Sequence, residues 1–350
     1  MSYDFFRIVF YPASEFFVVI ESLICANGHT REHHYRHFLG RWTSMGTPAP
    51  ELHSALTIDL QRNVQRVLES AQGEVGYAFK KNVPDCNVWT SVSVFSTFLR
   101  ISALLIERTW VGLPLSREET WIKATTGYMT DVAKAANAIR AWPKALRPLV
   151  APMLAEVQSL KNNRDHVTKA MKPLIRQQFS SSNKEKGDRV AGGELFAWII
   201  QRYKGAVTPE RIARDELMAT FSSLYTVTAT LSQTLFDLAA RPEYLGPLRE
   251  ELAGVLVEDP GLVQKVSLIK LKKMDSFIKE SQRMNPLGLS ESFLLGSLPS
   301  SPLIMHDFSN YDAGRDGPKG AQAIYGRHYS IWGNRGGPQS CSQLLSCDSQ

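Results

Sequence analysis

Thr208-Pro209-Glu210 opens a stretch in which nothing breaks a helix until Pro242. Threonine is a favoured N-cap, and proline fits the first helical position because its missing N–H has no intrahelical partner there anyway. The spacing predicts one helix over 209–240, about 48 Å long at 1.5 Å per residue. An element of that length sets the expected architecture as mainly α. Its middle, Phe221-Ser222-Ser223-Leu224-Tyr225-Thr226-Val227-Thr228-Ala229-Thr230, crowds hydroxyls into an otherwise apolar helix. Mid-helix Ser and Thr bond back to the carbonyl four residues earlier, and they can bend or locally open the helix. Composition alone favours plain packing with back-bonded hydroxyls. The other reading makes this stretch the wall of a ligand or cofactor.

Further helical patterns lie on both sides. Leu52, Leu56, Leu60, Val64 and Leu68 recur every four residues, an amphipathic pattern that starts near Pro50 and runs to the breaker Pro84. Residues 92–108 leave little polar surface and are expected to be buried. Ser116-Arg117-Glu118-Glu119 has the form of a capping box for a helix running to Ala138. Pro143, Pro148 and Pro152 punctuate a turn-rich link, followed by a long basic helix over 154–178. After a polar loop at 180–192, helices are expected over 194–203, 248–257 and 271–284, the last stopped at Asn285-Pro286.

The two ends differ from this core. Residues 1–46 show no sustained period. His29, His33, His34 and His37 include pairs four apart, as on a metal-binding helix face. Arg31, Arg36 and Arg41 interleave them and no acidic or cysteine partner sits at ligand spacing, so a solvated basic segment is the preferred reading and no metal ligand is assigned. Residues 288–350 contain nine Gly, eleven Ser and four Pro, a composition that buries no core of its own. The expected division is therefore 1–46, a helical core over 47–286, and a disordered or irregular tail over 287–350. A net charge of +6, spread along the 350 residues, argues against nucleic acid as a partner. Four scattered cysteines exclude a disulfide framework. The best apolar run, 16–26, carries Glu21 and falls short of the roughly 20 residues a spanning helix needs. The expectation is a chain without a membrane anchor, read as cytoplasmic.

Three segments carry a family resemblance: Leu235 to Tyr244, Pro247-Leu248-Arg249-Glu250-Glu251, and Lys270 to Pro286. Together with Val111-Gly112-Leu113-Pro114-Leu115 and the Trp142–Pro152 segment, they resemble a cytochrome P450, most closely the fungal secondary-metabolism type. The resemblance covers about residues 48–286. It implies a partial P450 fold and a haem-dependent monooxygenase acting on a bulky apolar secondary metabolite, terpenoid or meroterpenoid. It also implies an NADPH-dependent reductase as electron donor and, for the family, the endoplasmic reticulum membrane.

By the same resemblance the 209–240 helix is the one that faces the haem on its oxygen side. Thr226 matches the threonine that helps deliver protons during oxygen activation. Tyr225 stands where the family usually has an acidic residue, and a phenol with a reference pKa near 10 is no anion at neutral pH. Glu280 and Arg283 match the structural Glu-x-x-Arg pair. Arg62 and Arg66, by charge alone, could reach a haem propionate. The family's Phe-x-x-Gly-x-Arg-x-Cys-x-Gly loop, whose cysteine binds the iron, does not occur in these 350 residues. Cys341 and Cys347 lack its glycine and arginine, and Tyr325-Gly326-Arg327-His328 resembles only its start. A P450 truncated at both ends is the expectation, with a haem-free, inactive helical remnant as the alternative.

Overall fold

The computed structural model describes residues 35–83, 92–181, 194–203, 208–261 and 264–285. His29, His33, His34, all four cysteines and the 287–350 tail lie outside them. Helices and turns make up what is described, with no strand among the described residues, as the mainly α reading requires. The helices are α1 (Gly40–Thr43), α2 (Pro50–Ser54), α3 (Val64–Asn82), α4 (Val94–Trp110), α5 (Glu119–Arg140), α6 (Arg147–Val150), α7 (Ala155–Ser181), α8 (Glu194–Arg202), α9 (Pro209–Ala240), α10 (Leu245–Glu258), α11 (Lys265–Lys270) and α12 (Lys272–Met284). They divide into two compact units, one within 35–74 and 102–227, the other within 75–101 and 228–285. The long helices α3, α4 and α9 each give a segment to both units.

In the first unit α5 lies along α7. Trp121, Ile122, Tyr128, Val132 and Ile139 of α5, with Leu160, Val167 and Met171 of α7, are buried. Full burial of such side chains is worth about 1.5–3 kcal/mol each, so this seam supplies much of the unit's stability. Polar groups fix its register. Asn163 Nδ2 donates to the Ala124 carbonyl at 3.2 Å and to Asp131 at 2.9 Å. The Tyr128 hydroxyl donates to the Thr43 carbonyl at 3.3 Å. α7 runs through the exposed Pro173, which lacks the N–H that would bond the Lys169 carbonyl.

Two local expectations change. The four-residue spacing of Leu52, Leu56 and Leu60 does not belong to one regular α-helix. Between α2 and α3 the chain takes a wider, π-type turn over Ala55–Leu60. That turn keeps all three leucines inside, where a strict i+4 pattern on a 3.6-residue helix would drift off the face. The capping box at Ser116 does not form. Residues Leu115–Arg117 wind into a tight turn, Ser116 is fully buried, and the cap of α5 is Glu118, in extended backbone. The Ser116 N–H bonds to the carbonyl of Gly112, whose positive φ of 74° suits a residue without Cβ. The serine is thus drawn into the turn after α4 and away from the helix end.

In the second unit α12 is held by α10 and by the C-terminal part of α9. The Glu251 carboxylate of α10 accepts the N–H groups of Lys273 at 2.8 Å and Met274 at 3.0 Å, the first-turn donors of α12. At the other end, Asp237 of α9 accepts from the Ser281 hydroxyl at 2.5 Å and from Asn285 at 3.3 Å.

Candidate functional site

Thr208 caps α9 as its sequence position demands: its Oγ1 accepts the Arg211 N–H at 3.3 Å. The helix then continues unbroken to Ala240. Its hydroxyls bond back along the helix. Ser222 donates to the Met218 carbonyl at 2.9 Å and Ser223 to Ala219 at 3.0 Å. Thr226 donates to the carbonyls of both Ser222 and Ser223, at 2.9 Å each. A hydroxyl so engaged still has lone pairs to accept a hydrogen bond. Ser222, Ser223 and Leu224 are buried, whereas Phe221, Tyr225 and Thr226 are only partly so.

Tyr225 faces α5. Its hydroxyl donates to the Thr126 carbonyl at 2.8 Å. Burial pushes its pKa above the ordinary phenol value, so it is a proton-bearing group at any ordinary pH. Arg62, just before α3, and Arg66, in its first turn, are exposed. In the second unit, Glu280 and Arg283 form a two-pronged ion pair with both N–O distances 2.7 Å, at 56% and 67% side-chain exposure. Among the described residues no three His, Cys, Asp or Glu gather to hold a metal ion.

Carboxylates absent from the expectations dominate the first unit's interior. Glu107 of α4 is fully buried, accepting from Trp121 Nε1 at 2.8 Å and from the Thr220 hydroxyl at 3.0 Å. Glu216 and Asp215 of α9 are also fully buried. Asp215 accepts from the Tyr203 hydroxyl at 2.5 Å and from Arg214 at 2.6 Å. Glu74 of α3, nearly inaccessible, binds Arg117 through both oxygens, at 2.7 and 2.8 Å. The one available signal was acids interrupting apolar runs, as in Ala103-Leu104-Leu105-Ile106-Glu107.

Residues 55–291 match the cytochrome P450 family. The chain belongs to that family. It is 44% identical over 260 residues to the cytochrome P450 monooxygenase ataF of Aspergillus terreus, covering 74% of this chain and 52% of that protein. It is 38% identical to the cytochrome P450 monooxygenase gliF of Aspergillus fumigatus over 74% of this chain and 53% of that one. It is 36% identical to the cytochrome P450 monooxygenase ascG of Acremonium egyptiacum over 73% of this chain and 51% of that one. The chain thus spans about half the length of the curated relatives it matches. No solved structure matches it.

The P450 family implies haem. On α9 the partly buried Thr226 hydroxyl lies beside the buried Ser222 and Ser223, whose carbonyls it bonds. A haem-thiolate site would also need a cysteine to supply its iron ligand, and no described residue is one. The described residues therefore do not complete a haem site. Among them, no helix is long and apolar enough to cross a membrane.

Proposed function

We propose that this protein takes part in the haem-dependent monooxygenation of a bulky apolar secondary metabolite. Electrons would come from an NADPH-dependent reductase. Membership of the P450 family and the similarity to fungal P450 monooxygenases support the reaction class. The terpenoid class of substrate rests on the subgroup its motifs resemble. The observation that carries the reading is Thr226: a partly buried hydroxyl, anchored on the helix backbone and still able to accept, beside two small serines. Glu280 and Arg283 are proposed as the family's structural pair. Tyr225 and Thr226 are proposed as the polar groups of the oxygen side, with Tyr225 restricted to the role of a proton-bearing spacer. Arg62 and Arg66 are the proposed propionate partners.

A second reading, a helical body that takes up no haem, draws support from the missing cysteine loop. Titrating the purified chain with haem, followed by tryptophan fluorescence, separates the two. The first reading expects quenching that saturates near one haem per chain. It also expects that Thr226→Trp, which fills the face, abolishes this uptake without changing the helical circular-dichroism signal. Absence of saturable uptake by the unaltered chain supports the second reading.

A further inference from the structure

Glu107 and Glu216 lie buried where α4, α5 and α9 meet. Both side chains are 0% exposed. Glu107 is held from α5 by Trp121 and from α9 by Thr220. Glu216 lies one turn before Thr220 on the same face of α9. Among the described residues, neither of its carboxylate oxygens has a hydrogen-bond partner.

The charges acting on Glu216 are both negative, Glu107 and Asp215. The nearby cations are engaged elsewhere. Arg214 binds Asp215 at 2.6 Å, Arg108 lies 3.7 Å from Glu74, and Arg117 binds Glu74 at 2.7 Å. From α5 the node receives the neutral groups Trp121 and Thr125, and Tyr203 donates to Asp215. A carboxylate in such a place is far costlier than a carboxylic acid, because desolvation and like charge both penalise the anion.

We propose that Glu216 is a neutral carboxylic acid in the folded protein, held beside the charge of Glu107, so that folding of the α4–α5–α9 node takes up a proton and alkaline conditions loosen it. Burial pushes Glu107 up to about 7, despite the hydrogen bonds from Trp121 and Thr220. Burial first, then the charges of Glu107 and Asp215, push Glu216 well above the carboxylate range. Asp215 shifts the same way, chiefly by burial. In the unfolded chain the two glutamates titrate near 4.5. The folded state therefore holds more protons from about that pH upward. Stability is complete below the unfolded value and is lost as pH rises through the folded ones. Each extra proton held steepens the unfolding equilibrium constant about tenfold per pH unit.

Denaturant unfolding at pH values from about 5 to about 8 tests this, alongside infrared spectra of the carboxylic-acid carbonyl stretch. The unaltered chain should weaken as pH rises and show an acid band at neutral pH. Glu216→Gln should weaken that band, be the more stable form at the alkaline end, and flatten the pH dependence by about tenfold per unit. If that variant fails to fold, the acid band and pH slope of the unaltered chain decide, with Glu107→Gln as the second variant expected to flatten the slope. Stability that is level or rises with pH, a slope unchanged by substitution, or no acid band would overturn the proposal. Recovery of alkaline stability on adding potassium or calcium, lost in Glu216→Gln, would place a cation there and overturn it as well.

Discussion

Glu74 shows how one buried carboxylate can organise its surroundings. It joins α3 to the turn before α5 by a bidentate pair with Arg117, with Arg108 of α4 close by. Glu74→Ala removes the acceptor that both guanidiniums face. Because Arg117 remains 37% exposed, water recovers part of the loss. The expected destabilisation is about 2 kcal/mol, below the 3–5 kcal/mol of a fully buried broken pair, read as a lowered midpoint in denaturant unfolding. An unchanged midpoint would show that the pair contributes nothing net. Nothing local in the sequence marks Glu74, since its partner is 43 residues away. The same holds for Glu107, whose hydrogen bond to Thr220 spans 113 residues. By contrast, Thr208, Ser222 and Thr226 make their bonds within four residues, and those bonds follow from the sequence directly.

At the level of elements, the same distinction decides which helix ends were legible. α9 begins at Pro209 and ends at Ala240, as its cap and the following proline dictate, because both signals act within a few residues. α12 is capped from outside. Its own preceding residue, Leu271, makes no side-chain cap, and the acceptor is Glu251, 22 residues earlier. Glu251→Ala should cost about 1 kcal/mol, the ordinary value of a cap, and should fray α12 from its first turn. Amide exchange measured across α12 checks this: protection should fall first at 273–276. Loss spread evenly over the helix would point to packing instead of capping. The turn over Ala55–Leu60 was hidden for a different reason. A leucine every fourth residue is compatible with a slightly drifting α-helix and with a wider turn, and burial of all three leucines selects the second.

For the whole molecule, the sequence motifs around α10 and α12 and the hydroxyl-rich α9 were enough to mark the P450 family, and the match over residues 55–291 shows it. A cysteine ligand for the implied haem was not to be found by the same route, because the expected cysteine loop does not occur in these 350 residues. The central claim, which rests on the proposed function, is that α9 supplies the oxygen-side wall of a haem site and that no described residue supplies its sulfur ligand. The most direct measurement is the absorption spectrum of the chain supplied with haem, reduced and exposed to carbon monoxide. The account predicts no Soret band at the position diagnostic of thiolate ligation. A band at that position, lost on Cys341→Ser or Cys347→Ser, would contradict it.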